Sequence, residues 1–261
     1  MEEISRILIR LFIVVVGLVW GSFLNVLIFR IPRDLNIIKP RSFCPSCGKK
    51  IKWYDNIPVL SYIFLGGKCR NCYQKISVRY PVVEIITSSS FLIVYERYYY
   101  SFYFIGSLIF VSALIALAFI DLEHQILPDV ITIPGFIFFS AYSVANPFLG
   151  FKHLILGALV GSGTLLLIYL IYLWLRKEEG LGFGDIKMML LVGAFLGWRK
   201  SLLTLIIASF LGAMVGVIMI VFKKKGLKFA LPFGTFLSLS AFLSLLYGDI
   251  IIDFYLSLSQ F

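Results

Sequence analysis

An all-α polytopic membrane protein, carrying one small cytoplasmic four-cysteine zinc-binding module, is the fold class this sequence predicts. Three observations predict it. Hydrophobic residues make up 60% of the 261-residue chain and charged residues only 15%, against roughly 25% charged in soluble domains. The mean hydropathy is +0.94. The apolar residues fall in long runs suited to the roughly 30 Å hydrocarbon core of a bilayer, and all four cysteines fall in one polar interval between the first two runs.

Eight runs read as transmembrane helices: residues 11–29, 80–97, 102–120, 131–148, 153–175, 186–198, 201–222 and 229–247. The first reads as a permanent helix. It exceeds the ~7–15 apolar residues of a signal peptide, and no small-residue cleavage site follows it. The fourth contains Pro134, which membrane helices tolerate. The sixth is short. It must start earlier, sit in a thinned bilayer or be shielded by its neighbours. Eight spans put 18 of the Lys and Arg residues on one side and six on the other, so the richer side is cytoplasmic and both termini face outward. The net charge of +10 is then topogenic, and no basic run set among stacking aromatics marks a nucleic-acid partner. The division that follows is residues 1–30 as a first transmembrane helix, 31–80 as a cytoplasmic module and 81–261 as a seven-helix membrane domain. No function is assigned to the tail, residues 248–261, and the oligomeric state is not specified.

Within the module, Cys44-Pro-Ser-Cys47 and Cys69-Arg-Asn-Cys72 form two CxxC pairs separated by 21 residues. Each pair offers two thiolates to one ion, the pattern of a four-cysteine zinc site. The cytosol is reducing, which disfavours disulfides. Gly48 and the Gly66-Gly67 pair permit the tight turns such knuckles need. Four cysteine ligands leave no open position for water, so the zinc is structural, holding together a loop with little core of its own.

Carboxylates at a membrane edge are costly and call for a function. Asp121 closes the third run in Asp121-Leu-Glu-His-Gln-Ile-Leu-Pro-Asp129, and Asp185 opens the sixth in Gly182-Phe-Gly-Asp185. The topology sets both at the cytoplasmic face, the arrangement of an aspartic dyad. Two carboxyl groups in contact share one proton, so that one activates a water and the other polarises a carbonyl. Gly182 and Gly184, lacking Cβ atoms, leave room for a substrate backbone beside Asp185. Asp185 also suits the N-terminus of a helix. Asp129 is a rival to Asp121 as partner, and spacing does not choose between them. Glu123 and His124 read as solvated interfacial groups.

Taken in order, these motifs resemble the type IV prepilin peptidases, the leader peptidase/N-methyltransferase family of GxGD-type intramembrane aspartic proteases. The likeness rests on Gly21-Ser-Phe-Leu-Asn25 with Arg30-Ile-Pro32, and on the cysteine pairs around Trp53-Tyr-Asp-Asn-Ile-Pro-Val-Leu-Ser61. It continues through Ile76-Ser-Val-Arg-Tyr-Pro-Val-Val-Glu84, Ile120-Asp121 to Asp129, Gly182-Phe-Gly-Asp185 and Leu231-Pro-Phe-Gly234. It implies that Asp121 and Asp185 are the catalytic pair and that Asp129 is not. It implies cleavage of the positively charged leader of type IV prepilins and pseudopilins after a glycine. Many family members then methylate the new N-terminus from S-adenosylmethionine, an activity associated with the cysteine-bearing region. Asn56, Arg79 and Glu84 are the candidate residues for it here, each with an ordinary reading as an interfacial hydrogen bonder. The location implied is the bacterial inner membrane, among lipids, serving type IV pili or type II secretion.

Two other classes are open to the residues alone. A transporter with a carboxylate proton relay would need acids or broken helices near the bilayer midplane, whereas these acids lie at one edge. A non-catalytic zinc-binding assembly factor would explain the cysteines and leave both aspartate motifs without a purpose.

Overall fold

The computed structural model describes residues 2–99, 101–146, 149–178, 182–223 and 231–258. The basic turn at 224–228, the start of the predicted eighth run and the end of the fourth lie outside the described residues. Eight α-helices are present among them: α1 (Glu2–Arg30), α2 (Leu60–Phe64), α3 (Arg79–Tyr98), α4 (Tyr103–His124), α5 (Asp129–Ala145), α6 (Gly150–Arg176), α7 (Phe183–Lys223) and α8 (Phe233–Leu258). The described residues contain no named strand, only isolated bridges Phe43–Lys50 and Lys68–Lys75 in the cysteine module. Each predicted run is helical over most of its described length, with Phe102, Asn146, Leu231 and Pro232 outside the helices. Helix α8 continues well into the tail that carries no assignment from sequence.

The count of spans differs from the prediction. Five helices have the length and apolarity to cross a membrane, and α5, at 17 residues, is a shorter apolar helix. Helix α3 is absent from that set because Glu84, Thr87, Ser88 and Ser90 interrupt its apolar sequence, and all four are buried. The sixth and seventh runs lie in α7 as two helical segments that meet at a kink at Gly197, whose φ of 75° and ψ of 175° are not helical. An L side chain rarely adopts that conformation, and the His153 ring lies directly against this Cα. The short sixth run does begin earlier, at Phe183, and it is shielded: Met188, Met189, Leu191, Val192 and Ala194 are fully buried.

The chain divides into two compact units, Met1–Ala116 and Leu117–Phe261. In the first, α1 packs along α3. Gly17 and Gly21 let the backbones close up, since a Cβ at Gly21 would lie 2.7 Å from the Glu84 Cα and one at Gly17 2.6 Å from that of Ser88. Small residues four apart are how apolar helices associate where lipid removes the hydrophobic drive between them. Ser88 Oγ donates to the Val14 carbonyl at 2.9 Å, and Trp20 Nε1 donates to Ser112 Oγ at 2.9 Å.

In the second unit, α7 is the central helix, packed by α6, α8 and α5. Gly157 of α6 and Gly193 of α7 mark the tightest crossing, where a Cβ on either would strike the other's backbone carbonyl. Side chains of α6 that face away from it, among them Leu167, Leu170, Ile171 and Trp174, are exposed and apolar, the surface a helix presents to lipid. A Gly193→Ala substitution meets backbone that cannot swing aside, so it should cost at least the ~1–3 kcal/mol of ordinary overpacking. Gly163→Ala, with nothing within 4 Å of the new Cβ, should stay within about 0.5 kcal/mol of the parent. Unfolding of the two variants in detergent checks both values.

Candidate active site and metal centre

The cysteine module is two copies of one turn. In the first, Cys44 N donates to Lys49 O and Gly48 N to Cys44 O, both at 2.9 Å. In the second, Cys69 N donates to Gln74 O and Tyr73 N to Cys69 O, again at 2.9 Å. The residue after each second cysteine has a positive φ, 69° at Gly48 and 58° at Tyr73. Glycine meets that demand without strain in one copy, and Tyr73 meets it in the other against its preference. All four sulfurs lie within 4.8 Å of one another, and Cys44 Sγ is 3.9 Å from Cys72 Sγ. The edge of a tetrahedron with ~2.3 Å metal–sulfur bonds is about 3.8 Å, so the four fit a single ion of that kind. Backbone N–H groups of Cys72 and Asn71 point at Cys69 and pull its thiol down to about 6, toward the thiolate that binds metal. Arg70 clamps the module from outside with a bidentate bond to Asp55, at 2.6 Å and 2.8 Å. Its guanidinium holds the Asp55 carboxyl below the usual carboxylate range.

The second unit gathers the C-terminal end of α4 and the N-terminal ends of α5, α7 and α8 at one place. Asp121 sits in the last turn of α4 and Asp185 in the first turn of α7, 5% and 7% exposed. They are near enough to interact electrostatically. Thr235, in the first turn of α8, donates to Asp121 Oδ2 twice, from its backbone N–H at 2.7 Å and from Oγ1 at 3.1 Å. Its hydroxyl is also 3.1 Å from the Ala118 carbonyl. Three helix N-termini converge here, and their partial positive charges favour carboxylates.

Leu127 joins these pieces. A Cβ at Gly184 would lie 3.0 Å from the Leu127 Cβ, and one at Gly234 2.8 Å from Leu127 Cδ2 and 3.1 Å from Asp121 Oδ2. The open side of Gly184 is therefore filled by Leu127, where the sequence suggested room for a substrate. At Gly182 the absent Cβ faces the acid itself, its position lying 3.2 Å from Asp185 Oδ2.

Asp129 is occupied elsewhere. Lys187 Nζ binds both of its oxygens, at 2.7 Å and 2.8 Å, tying the start of α5 to the first turn of α7. The pair is partly exposed. Glu123 and His124 approach each other at 3.9 Å, half-buried. Sequence reasoning did not single out Thr235 or Leu127. The signals were there, one residue beyond Leu231-Pro-Phe-Gly234 and one residue before Pro128-Asp129, but neither side chain looks reactive on its own.

The candidate methyl-transfer residues are spread out along the first unit. Glu84 is buried, and its Oε2 accepts the Val59 N–H at 2.7 Å. Asn56 is exposed at the end of the 3-10 turn Trp53–Asn56, and Arg79 is half-buried with its guanidinium 4.9 Å over the Tyr80 ring.

Two buried carboxylates at the mouths of apolar helices suit a membrane aspartic peptidase, and the comparisons give a leader peptidase family. Residues 15–98 match the Bacterial Peptidase A24 N-terminal domain and residues 108–217 match the Type IV leader peptidase family. The chain belongs to the type IV leader peptidase family, and it is a multi-pass membrane protein. A prepilin leader peptidase/N-methyltransferase of Myxococcus xanthus is 41% identical over 213 residues, 82% of this chain and 64% of that one. Relatives of the same name from Pseudomonas putida and Neisseria gonorrhoeae are each 35% identical. They match 90% and 88% of this chain and 89% and 87% of their own lengths. No solved structure matches.

The metal centre and the packing around the acids can both be tested on the purified protein. It should carry one metal ion per chain by elemental analysis, and Cys44→Ser should lower that content. Chelation should open residues 31–80 to protease while leaving the membrane helices intact. Gly184→Ala, by pushing on Leu127, should cut peptidase activity about 10- to 100-fold through misplacement of the acids. Leu127→Gly in the same chain, which removes the Cβ that the new methyl meets, should recover part of it, and the two substitutions should be non-additive in a double-mutant cycle.

Proposed function

We propose that this chain is a prepilin leader peptidase that hydrolyses the bond after the leader glycine, with Asp121 and Asp185 as its catalytic pair. The observation that carries the reading is the pair itself: two buried carboxylates within electrostatic reach, one of them fixed by Thr235, in a chain of this family. Asp121, whose Oδ2 already accepts two hydrogen bonds from Thr235, takes a proton from water. The hydroxide equivalent adds to the scissile carbonyl carbon while Asp185, holding the shared proton, supplies it to the carbonyl oxygen. Collapse of the tetrahedral intermediate breaks the C–N bond: the proton held by Asp121 passes to the leaving amine while a hydroxyl proton of the intermediate returns to Asp185. The product pair is a leader carboxylate and a pilin with a free N-terminus.

This chemistry suits a substrate with a basic leader followed by an apolar helix, because its scissile bond meets the membrane edge where these helix ends open. The charge bias of the loops supports a cytoplasmic orientation, in the inner membrane of a bacterium. The Gly182 face beside Asp185 gives an extended substrate backbone room to approach.

The same reading includes N-methylation of the new terminus. S-adenosylmethionine, when bound, supplies an electrophilic methyl group to the neutral amine. Asn56 and Arg79, on the accessible side of the first unit, are the residues offered for contact with donor or amine, while Glu84 organises the segment between them. The metal held by Cys44, Cys47, Cys69 and Cys72 is zinc in this proposal, and its role is to shape the module.

Co-reconstitution with a prepilin in liposomes tests both activities. Asp121→Asn and Asp185→Asn, folded and inserted, should each leave the prepilin uncleaved, with losses of more than ~1,000-fold. Mass spectrometry of the product should show the leader removed after glycine and, with S-adenosylmethionine present, one added methyl. Full cleavage by either variant would falsify the dyad assignment, and an unmethylated product would restrict the chain to peptidase action.

A further inference from the structure

The cysteine module reads from sequence as a soluble cytoplasmic loop, yet its one helix is inside out for water. In α2, Leu60, Ile63 and Phe64 are 51%, 64% and 83% exposed, while Ser61 is buried. Positions i, i+3 and i+4 share one face of a helix, so this five-residue element presents a continuous apolar face to its surroundings and hides its polar side chain. Ser61 is turned inward by two bonds, donating to the Tyr54 carbonyl at 2.9 Å and accepting the Ile57 N–H at 2.9 Å.

The helix is also held in place at a cost. Val59, just before it, has φ 60° and ψ −50°, and Leu60 N donates to Pro58 O at 2.6 Å. That is a γ-turn of the strained, positive-φ kind, built on a β-branched residue for which positive φ is an outlier. Strain of this sort persists only where the surroundings over-determine it. Here the clamp is Glu84, whose carboxylate accepts the Val59 N–H at 2.7 Å.

The clamp sets the depth of α2. Glu84 lies five residues into α3, about 7.5 Å along the helix axis. Its neighbours Val82 and Ile85 on the same helix are exposed and apolar, where α3 begins to show hydrocarbon to its surroundings. The start of α2 is therefore level with the lipid-facing part of a membrane helix. In the same module Lys49, Lys50, Lys52, Lys68 and Lys75 are exposed, a charge complementary to the anionic headgroups of a cytoplasmic leaflet.

We propose that α2 is an interfacial membrane wedge: Leu60, Ile63 and Phe64 insert into the headgroup–acyl boundary of the bilayer. The Glu84–Val59 clamp sets their depth, and the flanking lysines engage anionic headgroups. The module then rides on the membrane surface, pinned at the ends of α1 and α3 and at this third point.

Photo-crosslinking of the full, metal-loaded chain in vesicles of phosphatidylethanolamine and phosphatidylglycerol tests this. Phe64→p-benzoylphenylalanine should give a phospholipid adduct by mass spectrometry, in several-fold higher yield than Asn71→p-benzoylphenylalanine on the second cysteine turn. Ile63→p-benzoylphenylalanine is the second position and should behave as Phe64 does. An adduct to a second copy of the chain, an adduct to a co-reconstituted prepilin, or a lipid yield no higher than at position 71 would overturn the proposal. None of these readouts depends on peptidase or methyl-transfer activity, so a failed wedge and a failed function are separable.

Discussion

Leu127, wedged between Gly184 and Gly234, is the contact on which the arrangement of the carboxylates depends. It lies in the α4–α5 connection and fills the bare faces of two glycines at the starts of α7 and α8. The first brings Asp185 into place one residue on, and the second brings Thr235 onto Asp121. Protein interiors are packed densely enough that a methyl group is felt, so the absence of two Cβ atoms determines whether three helix ends can converge. The Lys187–Asp129 pair ties a fourth helix start to the same place. The acids are held by neighbours with no reactive chemistry of their own.

The same economy of backbone approach recurs through the rest of the protein. Gly157 against Gly193 and Gly21 against Glu84 are crossings where helices nearly touch through main chain. In lipid, association draws on close packing and internal hydrogen bonds because the solvent is as apolar as the side chains. Serine and threonine hydroxyls accordingly turn back on helix carbonyls, as Ser162 does to Ala158 and Ser238 to Gly234. Polar groups are thereby satisfied without leaving the helix.

The sequence reading found the helices because long apolar runs have few other solutions, and it found the cysteine pairs because CxxC spacing is a local property of one turn. It also placed Asp121 and Asp185 at helix ends. Gly184 reads in one dimension as room for a substrate, and a glycine that admits a leucine, as this one admits Leu127, looks the same there. It left Asp129 open as a partner, and the ion pair to Lys187, 58 residues away, was invisible to spacing. Its division of residues 183–223 into two runs agrees with the break at Gly197, where the backbone leaves helical geometry between two helical segments. It saw nothing in Leu60 to Phe64, where the apolar spacing is too short to stand out.

By itself, then, the sequence determined the helical membrane class, the cluster of four sulfurs and the positions of two acids, because composition, period and short-range spacing are set along the chain. The tertiary structure decided which side chains surround those acids: Thr235 on Asp121, Leu127 beneath Gly184 and Gly234, Lys187 on Asp129. Each of these joins residues on different helices. Such contacts depend on crossing points and on the few tenths of an ångström that a missing Cβ allows, neither of which has a signature along the chain.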